Sequence, residues 1–374
     1  MAGVKEIMQS GENTLLRWER TADIPADGWD GLASPDDLFL SLRWLRVVEE
    51  TARTPMRYLY VQRGGEPVAA LTTALATADV PWVSGRVDHL LDHCAAEGFD
   101  GAADLQQRLG GGASSLLPTV HCGGRHVGRT RVLHTAGPDK APRADVELLV
   151  MEAEKLAADT DSASVSFPYV DERDSTLVEV LRERGYASFT SGNYHWLSVP
   201  PAGFPAYAAA LPRKRRVSAL SERSKVRAAG FEITHEPVTP DIIDTLADLE
   251  VQLLAKYELE WPHERSAAAI GTAAARFGDD ASVLLARADG ALRGFALMLR
   301  RGDQWYARQC GFDYGYLGKL PLYYELLYYF AVERAAELSV ATIQYGMGSD
   351  TAKRSRGCTS TRLSCHVLLL GRRG

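Results

Sequence analysis

The stretch that decides the fold runs from Gln304 to Gly357: Gln304-Trp305-Tyr306-Ala307-Arg308-Gln309-Cys310-Gly311, the turn Tyr314-Gly315-Tyr316-Leu317-Gly318-Lys319, then Pro321 and Leu322-Tyr323-Tyr324-Glu325-Leu326-Leu327-Tyr328-Tyr329-Phe330, then Ala341-Thr342-Ile343-Gln344-Tyr345 and Gly346-Met347-Gly348. The first run is rich in aromatic and aliphatic residues and reads as a strand. The glycines read as a turn. Pro321 supplies a preset φ at the first helical position, so a long helix is expected from there to about Leu338. Ala341 to Tyr345 reads as a second strand. Strand, glycine turn, helix, strand is a βαβ unit, and free backbone N–H groups at a helix start are suited to an anion. Lys353, Arg356 and Gly357 follow the second strand.

Working backwards, Val283 to Ala288 and Leu292 to Arg300 read as strands joined by Asp289-Gly290, a strong hairpin signal. Pro240 to Leu259 and residues 264–277 read as helices, and Phe231 to His235 as a strand. Ala206 to Ala229 reads as a helix that carries Arg213, Lys214, Arg215, Arg216, Arg223, Lys225 and Arg227 against one acid, Glu222. Pro200-Pro201, Gly203 and Pro205 mark a boundary before it. In the first half, Ser41 caps a helix from Leu42 to Thr51. Arg57 to Gln62 and Pro67 to Ala76 form a hairpin across Gly64-Gly65. Residues 77–140 read as loops and short helices. Val146 to Ala158 (helix), Ser164 to Tyr169 (buried strand), Asp174 to Arg184 (helix) and Tyr186 to Val199 (one or two strands) complete that half. Thr361 to Leu370 reads as the last strand of the second half.

The chain has 374 residues, 46% of them apolar and 24% charged, with a net charge of −6. Two domains are expected at this length: 1–199 and 200–374, the second with the basic helix 206–229. A net negative charge excludes a generally basic nucleic-acid-binding protein. No apolar run approaches the ~20 residues of a membrane span. The start, Met1-Ala2-Gly3-Val4-Lys5-Glu6, lacks an apolar signal segment, so a cytoplasmic location is expected. Cys94, Cys122, Cys310, Cys358 and Cys365 are odd in number and lack CxxC spacing, which fits reduced structural thiols. His89 and His93 lie one helical turn apart, with His121, Cys122 and His126 downstream. That spacing matches no zinc pattern, so no metal is expected, and no motif calls for a cofactor. No hydrolase elbow, zinc-protease motif or nucleotide-binding loop appears in supportive context.

The central stretch resembles the Gcn5-related N-acetyltransferase (GNAT) fold, and resembles more closely its Fem-type branch, the FemAB-like proteins of peptidoglycan biosynthesis or recognition. That branch carries an aromatic-Glu…Tyr-Tyr helix, a glycine-marked strand end, and Lys-x-x-Arg-Gly. The matching residues are Tyr324, Glu325, Tyr328, Tyr329, Gly346, Lys353, Arg356 and Gly357. The segment Ser349 to Ala352 is one residue longer than the branch's pattern, and Cys358 replaces its aromatic. The resemblance implies an α/β (α+β) fold of tandem GNAT-like domains, each a twisted, mixed, mostly antiparallel sheet flanked by helices.

Several residues are candidates for chemistry. A charge run is either a solvated face or an anion site. In Fem-type proteins a similar basic motif lies beside the substrate channel, so Arg213, Arg215, Arg216, Arg223 and Arg227 are candidate donor-phosphate ligands, together with Arg308, Lys319 and Arg356. Lys353 is a candidate for holding an acyl carbonyl or a phosphate, or else a surface-loop residue. Glu325 is either a dipole-favoured helix-start acid or a general base that takes a proton from an attacking amine. Tyr345 is a candidate donor to a developing oxyanion. Tyr324, Tyr328, Gly346 and Gly357 are candidate pocket residues. CoA-dependent GNAT enzymes use an Arg/Gln-x-x-Gly-x-Gly/Ala loop. Arg308-x-x-Gly311 fits it, but Asp313 stands where Gly or Ala is expected, and an acid there repels phosphate.

The resemblance implies an amide-forming enzyme in which an amine attacks an activated aminoacyl ester. The expected donor is aminoacyl-tRNA. The expected acceptor is a small-molecule or peptidoglycan-precursor amine, with specialised-metabolite biosynthesis as one setting. Two rivals stand beside it: an N-acyltransferase that uses acyl-CoA or a carrier-protein thioester, and a non-catalytic protein that recognises a glycan or peptide. No DNA partner is expected.

Overall fold

The computed structural model describes residues 4–10, 13–52, 54–80, 85–123, 128–137 and 140–371. His126 lies outside them. The strands are β1 Val4–Ser10, β2 Asn13–Trp18, β3 Met56–Arg63, β4 Glu66–Ala76, β5 Thr119–Cys122, β6 Leu133–His134, β7 Ser164–Asp171, β8 Ala187–Ser198, β9 Glu232–Pro237, β10 Ala281–Ala288, β11 Ala291–Arg301, β12 Gln304–Phe312, β13 Thr342–Gly346 and β14 Thr359–Leu369. The chain divides into two compact units, Met1–Tyr194 with Thr361–Gly374, and His195–Ser360. Among the described residues no helix is long and apolar enough to cross a membrane.

In the first unit the strand order is β1-β2-β3-β4-β5-β7-β14, with β6 beside β4. The β3–β4 hairpin turns at Gly64-Gly65, where φ is +60° and +88°. These are left-handed values that glycine adopts without a Cβ clash. Ser41 caps the helix Leu42–Ala52 as expected, with Oγ 3.4 Å from the Trp44 amide. The helix Arg143–Asp159 packs Val146, Leu149, Val150, Ala153 and Leu156 onto Leu59, Leu71, Val120 and Val165. All eight residues of β7 are buried. The stretch 77–140, read as loops and short helices, does contain the helices Val87–Ala96 and Ala102–Arg108, but also the short strands β5 and β6. Strands of four and two residues are too brief to show alternation.

The division falls at Tyr194 and His195, inside β8, and Pro200-Pro201 merely ends that strand. A strand that runs uninterrupted through a boundary leaves no turn signal at the boundary. The last strand also departs from expectation. β14 lies antiparallel to β7, pairing Leu363 with Asp171 and Leu369 with Ser164, so it belongs to the first unit.

In the second unit the order is β13-β12-β11-β10-β9, and the end of β8 pairs antiparallel with β13. Only β12 and β13 run parallel there, as a βαβ unit requires. The β10–β11 hairpin turns at Asp289 (φ +51°) and Gly290 (φ +71°). Both faces of β10 are covered. Val283 and Leu285 meet Leu246, Leu249 and Ile270 of the helices Ile243–Lys256 and His263–Phe277. Leu284 and Ala286 face the cluster built by the basic helix Arg213–Ala228 and the central helix. The central helix comprises Leu322–Tyr324, a π-helical turn Glu325–Phe330, and Ala331–Glu337.

Candidate functional site

The parallel ladder between β12 and β13 is short. It joins Gln304 to Thr342, Trp305 to Ile343 and Tyr306 to Gln344, and stops. Just beyond, both strands bulge. The β12 register against β11 skips Arg308, and the β13 register against β8 skips Tyr345. Bulges bend and twist a strand, so β12 and β13 part here. From Ala307 to Phe312, the edge of β12 that faces β13 has no strand partner among the described residues. The central helix connects the two parting strands. Its π turn, a feature that recurs at functional sites, lies where Glu325, Tyr328 and Tyr329 turn inward.

Lys353, on the short helix Asp350–Ser355, reaches back to the end of β13. It is 5% exposed, and its Nζ donates to three backbone carbonyls: Tyr345 at 2.8 Å, Gly346 at 3.1 Å and Met347 at 2.6 Å. An ammonium group has three protons. All are engaged, so Lys353 fastens the Gly346-Met347-Gly348 turn and has no proton left for a substrate carbonyl. Burial pushes its pKa down to about 8. Gly346 and Gly348 have φ of +62° and +75°, which is why glycine stands at both places.

Tyr345 is likewise engaged. Its hydroxyl donates to the Leu327 carbonyl in the π turn, and its ring stacks on Tyr328 with centroids 4.8 Å apart. The expected oxyanion donor therefore serves as a brace between strand and helix. Glu325 is 2% exposed. Arg223 Nε lies 3.2 Å from its Oε1, angled as an ion pair rather than a hydrogen bond, and Oε2 is buried without a hydrogen-bond partner. Burial raises its pKa to about 7, with Arg223 and Arg227 opposing the rise.

The cationic candidates separate by helix face. Arg223, in register with buried Ala219 and Val226, is 5% exposed. It pairs with Glu325 and Glu333 and stacks on Phe204, with Cζ 4.2 Å from the ring centroid. Arg356 is 3% exposed. Its Nη2 donates to both Glu222 oxygens at 2.9 and 2.8 Å, its Nε to the Tyr329 hydroxyl at 2.9 Å, and its Cζ lies 3.8 Å from the Tyr324 ring centroid. Neither guanidinium is available to a donor's phosphate, because each already neutralises carboxylates in the interior. Arg308 is also turned inward: burial lowers its pKa, and Glu250 of the neighbouring helix opposes the drop. Arg213, Arg215 and Lys319 are exposed, Arg216 is half-buried and donates to the Ala209 carbonyl at 3.2 Å, and Arg227 is exposed near Glu325. Arg213, Lys214, Arg215 and Lys225 have no carboxylate partner among the described residues. The same helix also exposes Val217 and Leu220.

The loop after β12 is closed to phosphate. Asp313 Oδ1 accepts from the Tyr316 amide at 3.0 Å, and Oδ2 accepts from Arg293 Nη1 at 2.7 Å. The Tyr316 amide is the first cause of its lowered pKa, and the group stays ionised. Gly311 has another reason to be glycine. A Cβ there would meet the Leu249 carbonyl carbon at 2.3 Å and the Glu250 nitrogen at 2.4 Å, because the helix Ile243–Lys256 crosses β12 at that point. Gly357 has φ +79° and lies against Leu211.

Two residues escaped the sequence reading. His195 is fully buried opposite Gly346, with Nε2 3.8 Å from Asp350 Oδ1. Burial and then the Lys353 charge lower its pKa. Its signal was alternation with Leu197 on β8. Arg354 is exposed, whereas its neighbours Lys353 and Arg356 point inward at i, i+3 spacing. Among the described residues no three His, Cys, Asp or Glu side chains converge as metal ligands.

No curated protein matches the chain in sequence. In three dimensions it is similar to FemX, at 12% identity and a TM-score of 0.60, covering 93% of this chain and 96% of that one. It is similar to a conserved protein of unknown function from Bacteroides thetaiotaomicron, at 12% identity and a TM-score of 0.56, covering 93% and 98%. It is also similar to a tandem GNAT protein from the clavulanic acid biosynthesis pathway, at 14% identity and a TM-score of 0.53, covering 96% and 100%. At these identities the likeness is one of fold, and the fold is the mixed, mostly antiparallel one expected of tandem GNAT domains. The model of the FemAB-like family, described as peptidoglycan biosynthesis/recognition, matches residues 127–371, about two thirds of the sequence. The chain belongs to the FemAB-like family, on the GNAT fold.

Proposed function

We propose that the protein is a cytoplasmic aminoacyltransferase that forms an amide bond between an aminoacyl-tRNA donor and the amine of a small-molecule or peptidoglycan-precursor acceptor. Membership in the FemAB-like family supports a transferase. The observation that carries the donor is the placement of charge in the second unit. An acid, Asp313, fills the loop where a CoA pyrophosphate would need free amides, while Arg213, Lys214, Arg215 and Lys225 are exposed on one helix with no carboxylate partner among the described residues. A bulky polyanion suits the second feature and is indifferent to the first. The ester of a charged tRNA is already activated, so catalysis rests on positioning and on stabilising the tetrahedral intermediate. In this reading the acceptor amine attacks the ester carbonyl, the ribose oxygen leaves, and a proton passes from the amine to the leaving oxygen. The edge of β12 from Ala307 to Phe312, without a strand partner among the described residues, orients the acyl group through its backbone groups. Lys353 and Tyr345 hold that edge in shape as positioning residues.

The parted strands also favour a second reading. An extended ligand with amide groups, such as the pantetheine arm of a thioester donor, can add to a strand edge by backbone hydrogen bonds. Transfer of labelled amino acid from charged bulk tRNA to an amine, with acetyl-CoA run in parallel, separates the two. Transfer from tRNA alone, with salt-sensitive tRNA binding that Arg213→Ala/Lys214→Ala/Lys225→Ala abolishes, supports the first. Transfer from the thioester alone replaces it with the second. Transfer from neither moves the protein to glycan or peptide recognition.

A further inference from the structure

The core beneath the helix Arg143–Asp159 turns polar at one end of the first unit's sheet. Leu15 on β2, Leu59 on β3 and Leu71 on β4 are buried in that core. Two residues on, and so on the same face, stand Arg17, Arg57 and Thr73. The helix ends at Asp159, and a pocket of about 220 Å³ opens there. Arg17, Glu19 and Arg57 line it from the strands, and Asp159 lines it from the helix end. Leu75 with buried Val120 and Leu156 supplies an apolar lining between them. Neither Arg17 nor Asp159 has an ionic partner among the described residues, although both border the same space. Arg57 is half engaged: its Nη1 donates to the Met56 carbonyl at 2.7 Å, and its Nη2 lies 3.4 Å from Glu19 Oε1. No basic side chain stands in the last turn of the helix, so the negative end of its dipole is left uncompensated beside Asp159.

We propose that this pocket binds a free aliphatic α-amino acid, with its carboxylate on Arg17 and Arg57 and its ammonium on Asp159 and the helix end. Two guanidinium groups and two carboxylates line the space, so its net charge is zero and the ligand that fits is itself neutral overall. The charges are also segregated. Arg17 and Asp159 face one cavity without pairing, and a zwitterion satisfies both at once. A guanidinium fork matches a carboxylate in bidentate geometry, and Asp159 accepts a charge-assisted hydrogen bond from an ammonium. The apolar lining between the two ends suits a branched aliphatic side chain. At about 30 Å³ per water, the space holds about seven waters, which is close to the size of valine and below the roughly 300–1,000 Å³ of drug-sized sites. An aminoacyl ester lacks the carboxylate that Arg17 and Arg57 require. An amine held as ammonium by Asp159 is not nucleophilic. The pocket therefore holds an effector rather than either reactant of the proposed transfer, and it lies wholly within the first unit.

The experiment is equilibrium dialysis of the full chain at pH 7 against three labelled probes: L-valine, isobutylamine, which lacks the carboxylate, and isovalerate, which lacks the ammonium. Wild type is compared with Arg17→Ala, Asp159→Asn and, as a control elsewhere on the first unit, Arg182→Ala. Neither Arg17 nor Asp159 has an ionic partner to lose among the described residues, so both variants should keep the wild-type melting temperature. Wild type should bind L-valine and should bind each one-charge analogue about tenfold more weakly, as expected when one charge-assisted hydrogen bond is missing. The variants should then repeat the pattern from the protein's side. Asp159→Asn should weaken L-valine about tenfold and leave isovalerate unchanged, and Arg17→Ala should weaken L-valine and leave isobutylamine unchanged, because each pair of changes removes the same contact. Arg182→Ala should bind as wild type does. Wild type that binds none of the probes, analogues that bind as tightly as L-valine, L-valine binding untouched by either pocket variant, or an equal weakening in Arg182→Ala would overturn the proposal.

Discussion

Glu325→Gln separates two roles that the sequence left open for this acid. The buried carboxyl has its pKa raised from 4.5 to about 7 by burial, against the pull of Arg223 and Arg227. The folded value lies above the unfolded one, so the folded protein holds this proton more tightly. The resulting stabilisation is fully present below pH 4.5 and is lost as pH rises through 7. At about 1.36 kcal/mol per pH unit, the gap amounts to about 3 kcal/mol. Glutamine has the shape of the protonated acid and does not titrate. The stability of Glu325→Gln relative to wild type should therefore rise by about 3 kcal/mol between pH 4.5 and pH 8, which for a unit of this size is about 6–12 °C in melting temperature. Thermal or urea unfolding of both proteins across that range, followed by tryptophan fluorescence, gives the measurement. A difference independent of pH would show that Glu325 is not a strained buried carboxyl, and the reasoning from burial would fail. Activity supplies the second half. A general base contributes about 10²–10⁴-fold. The structure makes Glu325 the partner of Arg223 in the interior, so the variant should lose less than tenfold in the transfer assay. A hundredfold loss with the fold intact would restore the base.

Lys353→Met should reverse the pH trend at the alkaline end. The folded pKa of about 8 lies below the ordinary 10.5, so the unfolded chain binds this proton more tightly and wild type should gain about 3 kcal/mol relative to the variant between pH 8 and 10.5. Urea midpoints at pH 8, 9 and 10 check it, and parallel curves would refute it. Arg356→Ala leaves Glu222 without its bidentate partner in a largely buried place and should cost about 3–5 kcal/mol, read as a drop in melting temperature, with tRNA binding by the folded fraction unchanged. Gly311→Ala must move the helix Ile243–Lys256 and should cost about 3 kcal/mol or more by the same measurement. A Gly311→Ala protein of full stability would return that glycine to a ligand-cradling role.

The parts of the fold that were legible in sequence are those written in local chemistry. Asp289-Gly290 and Gly64-Gly65 mark hairpins because the turn needs positive φ. Pro321 marks a helix start because its missing N–H is one the helix does not use. What stayed hidden is non-local. Nothing within Thr361–Leu370 says that its partner is β7, almost two hundred residues earlier, because an alternating strand fits either sheet. The unit boundary inside β8 is silent for the same reason. The candidate site divides along a similar line. Helical spacing already placed Arg223 beside Ala219 and Val226, and Lys353 three residues from Arg356. A reading by charge alone took these for cations free to hold a substrate or its phosphate. The fate of a cation depends on whether a carboxylate waits at the far end, and Glu325, Glu333 and Glu222 are brought there only by folding.

The buried cations acquire a reason when the bonds are followed as a chain. Glu222 of the basic helix accepts from Arg356 and from Tyr329. Tyr329 belongs to the π turn of the central helix, and the Leu327 carbonyl of that turn accepts from Tyr345 on the bulged strand. The Tyr345 carbonyl in turn accepts from Lys353, which is three residues from Arg356. The circuit thus joins the exposed cationic helix, the central helix and the strand end at which β12 and β13 part. Each link is hydrogen-bonded; the two through Tyr345 are buried and the two at Glu222 part-buried, and a satisfied polar network of this kind fixes geometry instead of weakening a core. A donor held on the cationic helix would then meet a strand edge whose position is set by the same bonds, and this is what an enzyme that works by positioning requires. The acids and cations that looked like catalytic groups in the sequence are held in this network, and under the proposed function the groups left to touch substrate are the backbone of the parted strands and the exposed arginines.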